Sequence, residues 1–320
     1  MKIVVMETGA FGVPSVRALY ETEHEILALV TRPRVENPTR RELPEPEIVQ
    51  LAQSHGTPVL RFASIKSPEA VASLRELDAD LFFICDYGQI LSRDGISAAR
   101  LGGVNLHGSL LPKYRGSAPV QWALWNGDSQ TGVTVIHITP EIDAGPIMSA
   151  AKMTIPDDWT AAELEPALSE LGAPLVVRAV EQLARDASTV NSAAVQDASA
   201  ACPAPKLRKT HSPIDWTRGA REIRNQIRAL EPWPRTFTTW QKSESKPPIR
   251  LILLPIPEII DCEIPDATPP GTVLSVGETL VVTTGCGALS IRKIQPAGKK
   301  PQTIPEFLCG NAVRPGDVLK

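Results

Sequence analysis

The chain of 320 residues has no apolar run of the roughly 18 residues that a membrane-spanning helix needs. A short apolar segment, residues 3–6, follows directly on Lys2, a pattern unlike that of a secretory signal peptide. Both absences predict a protein that is neither inserted into a membrane nor exported. We therefore expect it in the cytoplasm.

Paired cysteines are missing as well. The five cysteines are odd in number and scattered, without a C-x-x-C pair: Cys85, Cys202, Cys262, Cys286 and Cys309. This pattern indicates reduced thiols and argues against a disulfide framework or a zinc site. Four of the five histidines show no ligand-like spacing (His24, His55, His137 and His211), and we therefore predict no metal.

The glycine pattern of a dinucleotide site is also absent. Gly9 and Gly12 follow the first predicted strand in the order Gly-Ala-Phe-Gly, without a G-x-G-x-x-G motif. The second predicted strand, residues 26–31, leads into Arg32, close to where a ribose-binding carboxylate would stand. These absences disfavour an enzyme that uses a nicotinamide cofactor.

Strands and helices do alternate through the first 85 residues. The predicted strand at 80–85 is continuously apolar, as expected for a strand covered on both faces. Ser67 and Pro68 mark the start of the helix before it. The alternation predicts an α/β fold with a mostly parallel, doubly wound sheet, in which ligands bind beyond the carboxyl ends of the strands.

The pattern changes in the second half of the chain. A long helix is predicted at 160–185, and residues 186–205 are mostly Ala, Ser, Asp and Pro in no periodic order. Five short strands follow, at 236–240, 249–254, 271–275, 279–283 and 288–294. They predict a small OB-like β-barrel, a fold often used to bind nucleic acids. We expect a first domain at 1–188, a linker at 189–208 and a second domain at 209–320.

Charge is unevenly distributed along the chain. The net charge is −3, yet residues 206–250 contain eleven basic and four acidic residues, so that this segment carries +7 and the remainder −10. A basic segment on an acidic chain indicates a polyanionic partner. A solvated helix face followed by a linker explains the charge equally well.

Three polar residues are predicted to meet at one edge of the sheet. Asn105 and His107 lie on the same side of the predicted strand 104–107, because side chains alternate along a strand. Asp143 lies in an Ile-Asp-Ala-Gly break after the next predicted strand and can reach the same edge. An amide and an imidazole can donate to a tetrahedral oxyanion, while a carboxylate orients or charges the imidazole.

Each of these residues also has a structural explanation. A lone histidine beside a strand, an asparagine that caps a turn and an aspartate in a turn are all common. The accompanying segment HGSLLPKYRG, residues 107–116, favours the catalytic explanation for the three together. Trp122 and Trp125, on the next predicted helix, are expected in the core.

Further motifs extend along the chain: METGAFGVPS (6–15), SLLPxxRG within 104–119, the segment 132–145, IDW (214–216), PWP (232–234) and QPAGKK (295–300). Together they resemble the methionyl-tRNA formyltransferase family, one of the folate-dependent formyltransferases. The resemblance runs nearly end to end and implies a Rossmann-like formyltransferase domain followed by an OB-like domain. It implies formyl transfer from 10-formyltetrahydrofolate to the α-amine of methionine on initiator tRNA, with Asn105, His107 and Asp143 as catalytic residues.

The resemblance also assigns the folate site. It places the folate along Ser109, Leu110, Leu111 and Pro112, and along the turn Tyr87, Gly88 and Gln89. Basic residues expected to contact tRNA are Arg40, Arg41, Lys206, Arg208, Arg221, Arg224 and Arg228. We expect a monomer.

Two alternatives stay open at this point. The same chemistry could act on an amino sugar nucleotide or another small amine, or the chain could be an inactive RNA-binding module. The sequence also departs from the family in its first loop, because relatives usually begin with Gly-Thr-Pro after the first strand, where this chain has Glu7, Thr8 and Gly9.

Overall fold

The computed structural model describes residues 1–34, 44–189, 193–243, 245, 247–255 and 257–320. The chain forms two compact units. The first contains residues 1–119, 130–154 and 165–206, and the second contains residues 120–129, 155–164 and 207–320. Each unit is described here by itself.

A seven-stranded sheet forms the centre of the first unit. Its strands are β1 (Lys2–Glu7), β2 (Glu25–Thr31), β3 (Val59–Arg61), β4 (Leu81–Cys85), β5 (Gly103–His107), β6 (Gln130–His137) and β7 (Ile147–Thr154). They are arranged in the order β3-β2-β1-β4-β5-β6-β7. The first five strands of this order pair in parallel, whereas β6 and β7 are antiparallel. The predicted α/β fold with a mostly parallel sheet is confirmed.

The described helices are α1 (Val13–Tyr20), α2 (Glu47–Ser54), α3 (Pro68–Glu76), α4 (Arg93–Ile96), α5 (Pro119–Trp125), α6 (Ala161–Arg185), α7 (Ala220–Ala229) and α8 (Ile304–Leu308). As predicted, Ser67 caps α3 by accepting a hydrogen bond from the Ala70 N–H. Every residue of β4 is buried, and Phe82 and Ile84 share a core cluster with residues of α3.

Close packing of α6 determines which way the side chains of β5 point. At Gly172, α6 lies so near β5 that a Cβ would collide with the side chain of Leu106. Because alternate residues of a strand face opposite sides, Asn105 and His107 both project away from α6.

The second unit contains two four-stranded sheets. Its strands are β8 (Phe237–Trp240), β9 (Ile249–Leu253), β10 (Glu258–Ile260), β11 (Val273–Val276), β12 (Leu280–Thr283), β13 (Ala288–Ile291), β14 (Lys293–Pro296) and β15 (Gln302–Thr303). One sheet has the order β10-β13-β12-β11 and the other β15-β14-β9-β8, and all pairs are antiparallel. Ile223, Trp240 and Phe307 belong to one hydrophobic core with residues of both sheets.

A small OB-like barrel of five strands is predicted for this part of the chain; the second unit is an antiparallel β domain, and the predicted number of strands was too small. The single strand expected at 288–294 is two strands that separate at Arg292, since β13 pairs with β12 whereas β14 pairs with β9. The short strands β10 and β15 were missed because two or three residues carry no recognisable alternation.

Part of the predicted linker packs along the first unit. Ala194 pairs with Ile147 of β7, and the Arg115 N–H donates to the carbonyl of Cys202 at 2.9 Å. The Ala204 N–H donates in turn to the carbonyl of Arg115 at 2.7 Å. Residues 193–204 therefore run beside the loop that follows β5.

Candidate active site

His107 stands at the carboxyl end of β5 and is buried, with 5% of its surface exposed. Its Nε2 atom lies 2.8 Å from the carbonyl oxygen of Tyr114. Because a carbonyl only accepts hydrogen bonds, Nε2 carries the proton and donates. The other ring nitrogen, Nδ1, is left to face the carboxylate of Asp143 at 3.6 Å.

Two contacts position Asp143 in the turn between β6 and β7. The Gly116 N–H donates to its Oδ2 atom at 2.8 Å, and the amide of Gln196 donates to its carbonyl oxygen at 2.8 Å. The Asp143 backbone has φ of 52°, in the left-handed region that non-glycine residues rarely adopt. Gly116 of the loop after β5 and Gln196 thus hold the Asp143 carboxylate near His107.

Asn105 is half-buried, two residues before His107 on the same side of β5. Among the described residues, no group forms a hydrogen bond to its side chain. Its amide is therefore free to donate to an external oxygen. The arrangement brings together an unoccupied amide donor, an imidazole with Nδ1 free and a carboxylate.

Gln196 was not predicted as a site residue. It is buried, and its Nε2 atom donates to the carbonyls of both Asp143 and Gly145, at 2.8 and 2.7 Å. Its Oε1 atom accepts from Nε and Nη2 of Arg115, at 3.1 and 2.7 Å. No sequence signal marks Gln196, because it lies in a segment without periodicity.

Residues 109–112, the first segment predicted to bind folate, make hydrogen bonds to other parts of the chain. The Ser109 hydroxyl donates to the carbonyl of Lys113 at 2.6 Å, and the Leu111 N–H donates to the hydroxyl of Thr134 at 3.1 Å. Ser109 and Leu111 are buried, whereas Leu110 and Pro112 are partly exposed.

The second predicted segment forms the turn after β4. Tyr87 is buried, its hydroxyl has no hydrogen-bond partner among the described residues, and burial raises its pKa to about 12. Gly88 has φ of 68°, and its carbonyl accepts from Arg32. The Gln89 side chain accepts from the Ile65 N–H at 2.9 Å. Contacts of either segment with folate stay a prediction.

Glu7 is completely buried at the end of β1. Its Oε1 atom accepts from the N–H groups of Thr8 and Gly9, at 3.2 and 3.0 Å, while Oε2 has no hydrogen-bond partner among the described residues. Burial raises the pKa of Glu7 to about 8, and the negative charge of Asp86 adds to the shift. The carboxyl group is therefore largely protonated at neutral pH.

The basic residues predicted to contact tRNA fall into three groups. Arg40 and Arg41 lie outside the described residues. Lys206, Arg208 and Arg221 are exposed.

Arg224 and Arg228 are buried within the second unit. The Arg224 guanidinium lies 2.9 Å from the carboxylate of Asp157, and Nε of Arg228 donates to Asn225 at 3.0 Å. Both side chains hold α7 against residues 156 and 157, because the Arg228 guanidinium also reaches the carbonyl of Pro156 at 3.4 Å.

Two wider features concern metals and membranes. Within the described ranges there is no cluster of three or more His, Cys, Asp or Glu residues that could hold a metal ion. Over the same part of the chain, no helix is both long and apolar enough to span a bilayer.

Comparison with known proteins places both halves of the chain in one family. Residues 1–180 match the family model described as formyl transferase, and residues 206–312 match formyl transferase, C-terminal domain. The chain is 41% identical to methionyl-tRNA formyltransferase of Rhodopirellula baltica, over 100% of this chain and 96% of the relative. It is 35% identical to the protein of that name from Acetivibrio thermocellus, over 100% and 99%.

A likeness in fold extends to a solved structure. The sugar 3N-formyltransferase WlaRD, solved in the presence of dTDP and 5-N-formyl-THF, superposes with a TM-score of 0.62 at 17% identity, covering 94% of this chain and 99% of that one. Both family matches and the full-length relatives agree: the chain belongs to the formyl transferase family.

Proposed function

We propose that the chain transfers the formyl group of 10-formyltetrahydrofolate to the α-amine of methionyl-tRNA. The observation that carries this proposal is the meeting of Asn105, His107 and Asp143 at the end of β5, with Nδ1 of His107 3.6 Å from the Asp143 carboxylate. Full-length relatives named methionyl-tRNA formyltransferase support the choice of acceptor.

The chemistry follows from the polarity of the three side chains. Attack of an amine on a formyl carbon turns the carbonyl oxygen into an oxyanion. The free amide of Asn105 donates to this oxygen, and protonated Nδ1 of His107 donates beside it. Since Nε2 already donates to Tyr114, a proton on Nδ1 makes the ring cationic, and the carboxylate of Asp143 stabilises that form.

Proton removal from the attacking ammonium is the second requirement. Asp143 is partly exposed and, as an alternative role, can accept the ammonium proton through a bridging water. When the tetrahedral intermediate collapses, the bond between the formyl carbon and the folate nitrogen breaks, and that nitrogen takes up a proton and leaves as tetrahydrofolate. One oxyanion donor typically contributes about 2.7–4 kcal/mol to lowering the barrier. The two donors therefore carry much of the catalytic effect that we assign to the chain.

Folate supplies the formyl group when it is bound. Exposed aliphatic side chains can pack on the faces of a flat pteridine ring, whose polar edge pairs with amide groups: Ile90 follows the turn Tyr87–Gln89 and is 47% exposed, and Ile142 precedes Asp143 and is 55% exposed. We assign the folate to this turn and to the segment 109–112. The presence of 5-N-formyl-THF in the WlaRD structure supports a folate on this fold.

The exposed basic residues support a tRNA acceptor. Lys206, Arg208 and Arg221 can contact phosphates without reading sequence. Arg224 and Arg228, which are buried, contribute by fixing α7. A chain with this acceptor works in the cytoplasm, where tRNA is charged, and we assign it there as a monomer.

A second acceptor is favoured by one observation. The likeness to a sugar 3N-formyltransferase covers nearly the whole of both chains, so an amino sugar nucleotide is the alternative. The tRNA acceptor is preferred because the relatives of 41% and 35% identity carry the methionyl-tRNA name.

The deciding experiment measures labelled formyl transfer from 10-formyltetrahydrofolate to methionyl-tRNA, to uncharged tRNA and to an amino sugar nucleotide. We expect transfer to methionyl-tRNA alone, at a rate that Asn105→Ala and Asp143→Ala strongly reduce but leave measurable. Transfer to the sugar and not to methionyl-tRNA would establish the alternative. Failure to transfer to either acceptor would refute both.

A further inference from the structure

One buried glutamine connects two parts of the candidate site. Gln196 donates through Nε2 to the carbonyls of Asp143 and Gly145, and it accepts through Oε1 from Arg115. It is only 9% exposed. Its hydrogen-bonding groups are thus divided between the turn that carries Asp143 and the loop that follows β5.

Arg115 stands between the two residues of that loop that contact the catalytic side chains. The carbonyl of Tyr114 accepts from Nε2 of His107 at 2.8 Å, and the Gly116 N–H donates to the Asp143 carboxylate at 2.8 Å. A shift of Gln196 relative to Arg115 would therefore change the separation of His107 and Asp143.

The turn that carries Asp143 has an unusual backbone conformation and packs closely on β6. Asp143 adopts φ of 52°, where a side chain is disfavoured. Gly145 packs so closely on β6 that a Cβ would collide with the carbonyl of His137. The Gln196 amide bonds the carbonyls on both sides of Ala144, and so fixes the turn as a unit.

We propose that Gln196 is a positioning residue for the formyl transfer, and that it acts by holding the carboxylate of Asp143 beside His107. This inference rests on the proposed function. The inference goes beyond the proposed function because it assigns a catalytic contribution to the segment that the sequence predicts to be a linker. Gln196 touches no reacting atom and acts only through Asp143.

The chain offers a matched control for the loss of two buried hydrogen bonds. Gln226 is also buried, and its Nε2 atom donates to the carbonyls of His211 and Pro213, at 2.8 and 3.0 Å. Gln196→Met and Gln226→Met thus each remove two amide N–H donors while nearly conserving side-chain volume. Gln196→Met also removes the acceptor of the two bonds from Arg115, which Gln196→Glu keeps. Only Gln196 is bonded to the Asp143 turn.

The first test compares kcat, KM and Tm of the full-length variants at saturating methionyl-tRNA and 10-formyltetrahydrofolate. We expect both Met variants to lose Tm, and Gln196→Met alone to lose roughly 10- to 100-fold in kcat with little change in KM for folate. Gln196→Glu keeps the acceptor for Arg115 and removes the donors to Asp143, so its kcat should fall equally. A kcat like that of the wild type in either Gln196 variant would overturn the proposal.

The second test is a double-mutant cycle. If Gln196 acts through Asp143, then Gln196→Met should lower kcat less than about twofold in an Asp143→Ala background. A full additional loss in that background would show that Gln196 acts by another route, and would contradict the proposal.

A spectroscopic measurement separates this proposal from the proposed function. In protein labelled with ¹⁵N-histidine, the His107 ring resonances should shift in Gln196→Met and stay in place in Gln226→Met. If the wild type transfers no formyl group, the proposed function fails while this comparison still tests the positioning. Unchanged His107 resonances in Gln196→Met would rule the positioning out.

Discussion

The Nδ1 atom of His107 faces the Oδ2 atom of Asp143 at 3.6 Å, too far for a direct hydrogen bond. The same Oδ2 atom accepts from the Gly116 N–H, so the carboxylate is held at this separation. Nδ1 consequently stays available to a substrate oxygen, while the charge that would form on the ring has a neighbour of opposite sign.

Asn105 gives the most direct test of the oxyanion site. Asn105→Ala should lower kcat by roughly 10²- to 10³-fold, because it removes a donor that acts on charge developed in the transition state. Steady-state kinetics with methionyl-tRNA would check this, with KM for folate expected to change little. Asn311→Ala, which removes a donor to the Phe307 carbonyl in the second unit, should keep the wild-type kcat. Equal kcat values in the two variants would exclude Asn105 from the reaction.

Glu7 should make the stability of the protein depend on pH. Its pKa is about 8 in the folded chain and near 4.5 when unfolded, so the folded state retains a proton that the unfolded state loses. The contribution of Glu7 to the free energy of unfolding should therefore be largest below about pH 4.5. It should decrease as the pH rises from about 4.5 and be lost once the pH has passed about 8. Glu7→Gln removes this dependence, so between pH 5.5 and pH 8.5 the wild type should lose roughly 3 kcal/mol of unfolding free energy that the variant keeps.

Urea unfolding of wild type and Glu7→Gln at pH 5.5 and pH 8.5 measures the effect. A smaller dependence of the same sign should remain in Glu7→Gln, because burial also raises the pKa of Asp86. Glu47→Gln is the control, since Glu47 is exposed and pairs with Arg17 at the surface. A pH dependence identical in wild type and Glu7→Gln would contradict the assignment of a raised pKa to this carboxyl group.

A substitution at Gly145 tests how closely the turn that carries Asp143 packs on β6. Gly145→Ala should lower both Tm and kcat, because the added methyl group collides with the backbone of His137 and must displace the Asp143 turn. Thermal unfolding and kinetics should be compared with Gly277→Ala, a site where nothing lies within contact distance of a new Cβ. We expect Gly277→Ala to leave both quantities unchanged. Normal kcat in a folded Gly145→Ala variant would show that the turn tolerates movement.

Arg221 and Arg228 of α7 should differ in role, because Arg221 is exposed and available to tRNA whereas Arg228 is buried. Arg221→Gln should leave Tm unchanged and reduce the slope of log affinity for tRNA against log salt by about 1, because one exposed phosphate contact is lost. Arg228→Gln removes the same charge but breaks the bond to Asn225, so it should lower stability by about 1–3 kcal/mol. Binding measured at several salt concentrations, together with thermal unfolding, distinguishes the two. A changed salt slope at normal Tm in Arg228→Gln would reverse the assignment.

Local periodicity accounts for what could be predicted. The placement of Asn105 and His107 on one side of β5 follows from the alternation of a strand, which is fixed by backbone geometry. The same holds for β4, whose continuous apolar run indicates burial on both faces. In the second unit, only strands of four or more residues had enough alternation to be recognised, which is why β10 and β15 were missed.

The sequence by itself determined the α/β order of the first unit, the antiparallel β character of the second and the pairing of an amide with an imidazole on β5. The tertiary structure decided which distant groups reach them. β6 pairs antiparallel with β5 and ends with His137 opposite Val104, at the amino end of β5, so it is the turn after β6 that folds back and brings Asp143 within 3.6 Å of His107. Gln196 comes from a segment without any pattern. The sequence also could not predict that Arg228 is buried while Arg221 on the same helix is exposed. That difference depends on contacts with segments far away in the chain, and such contacts leave no local sequence pattern.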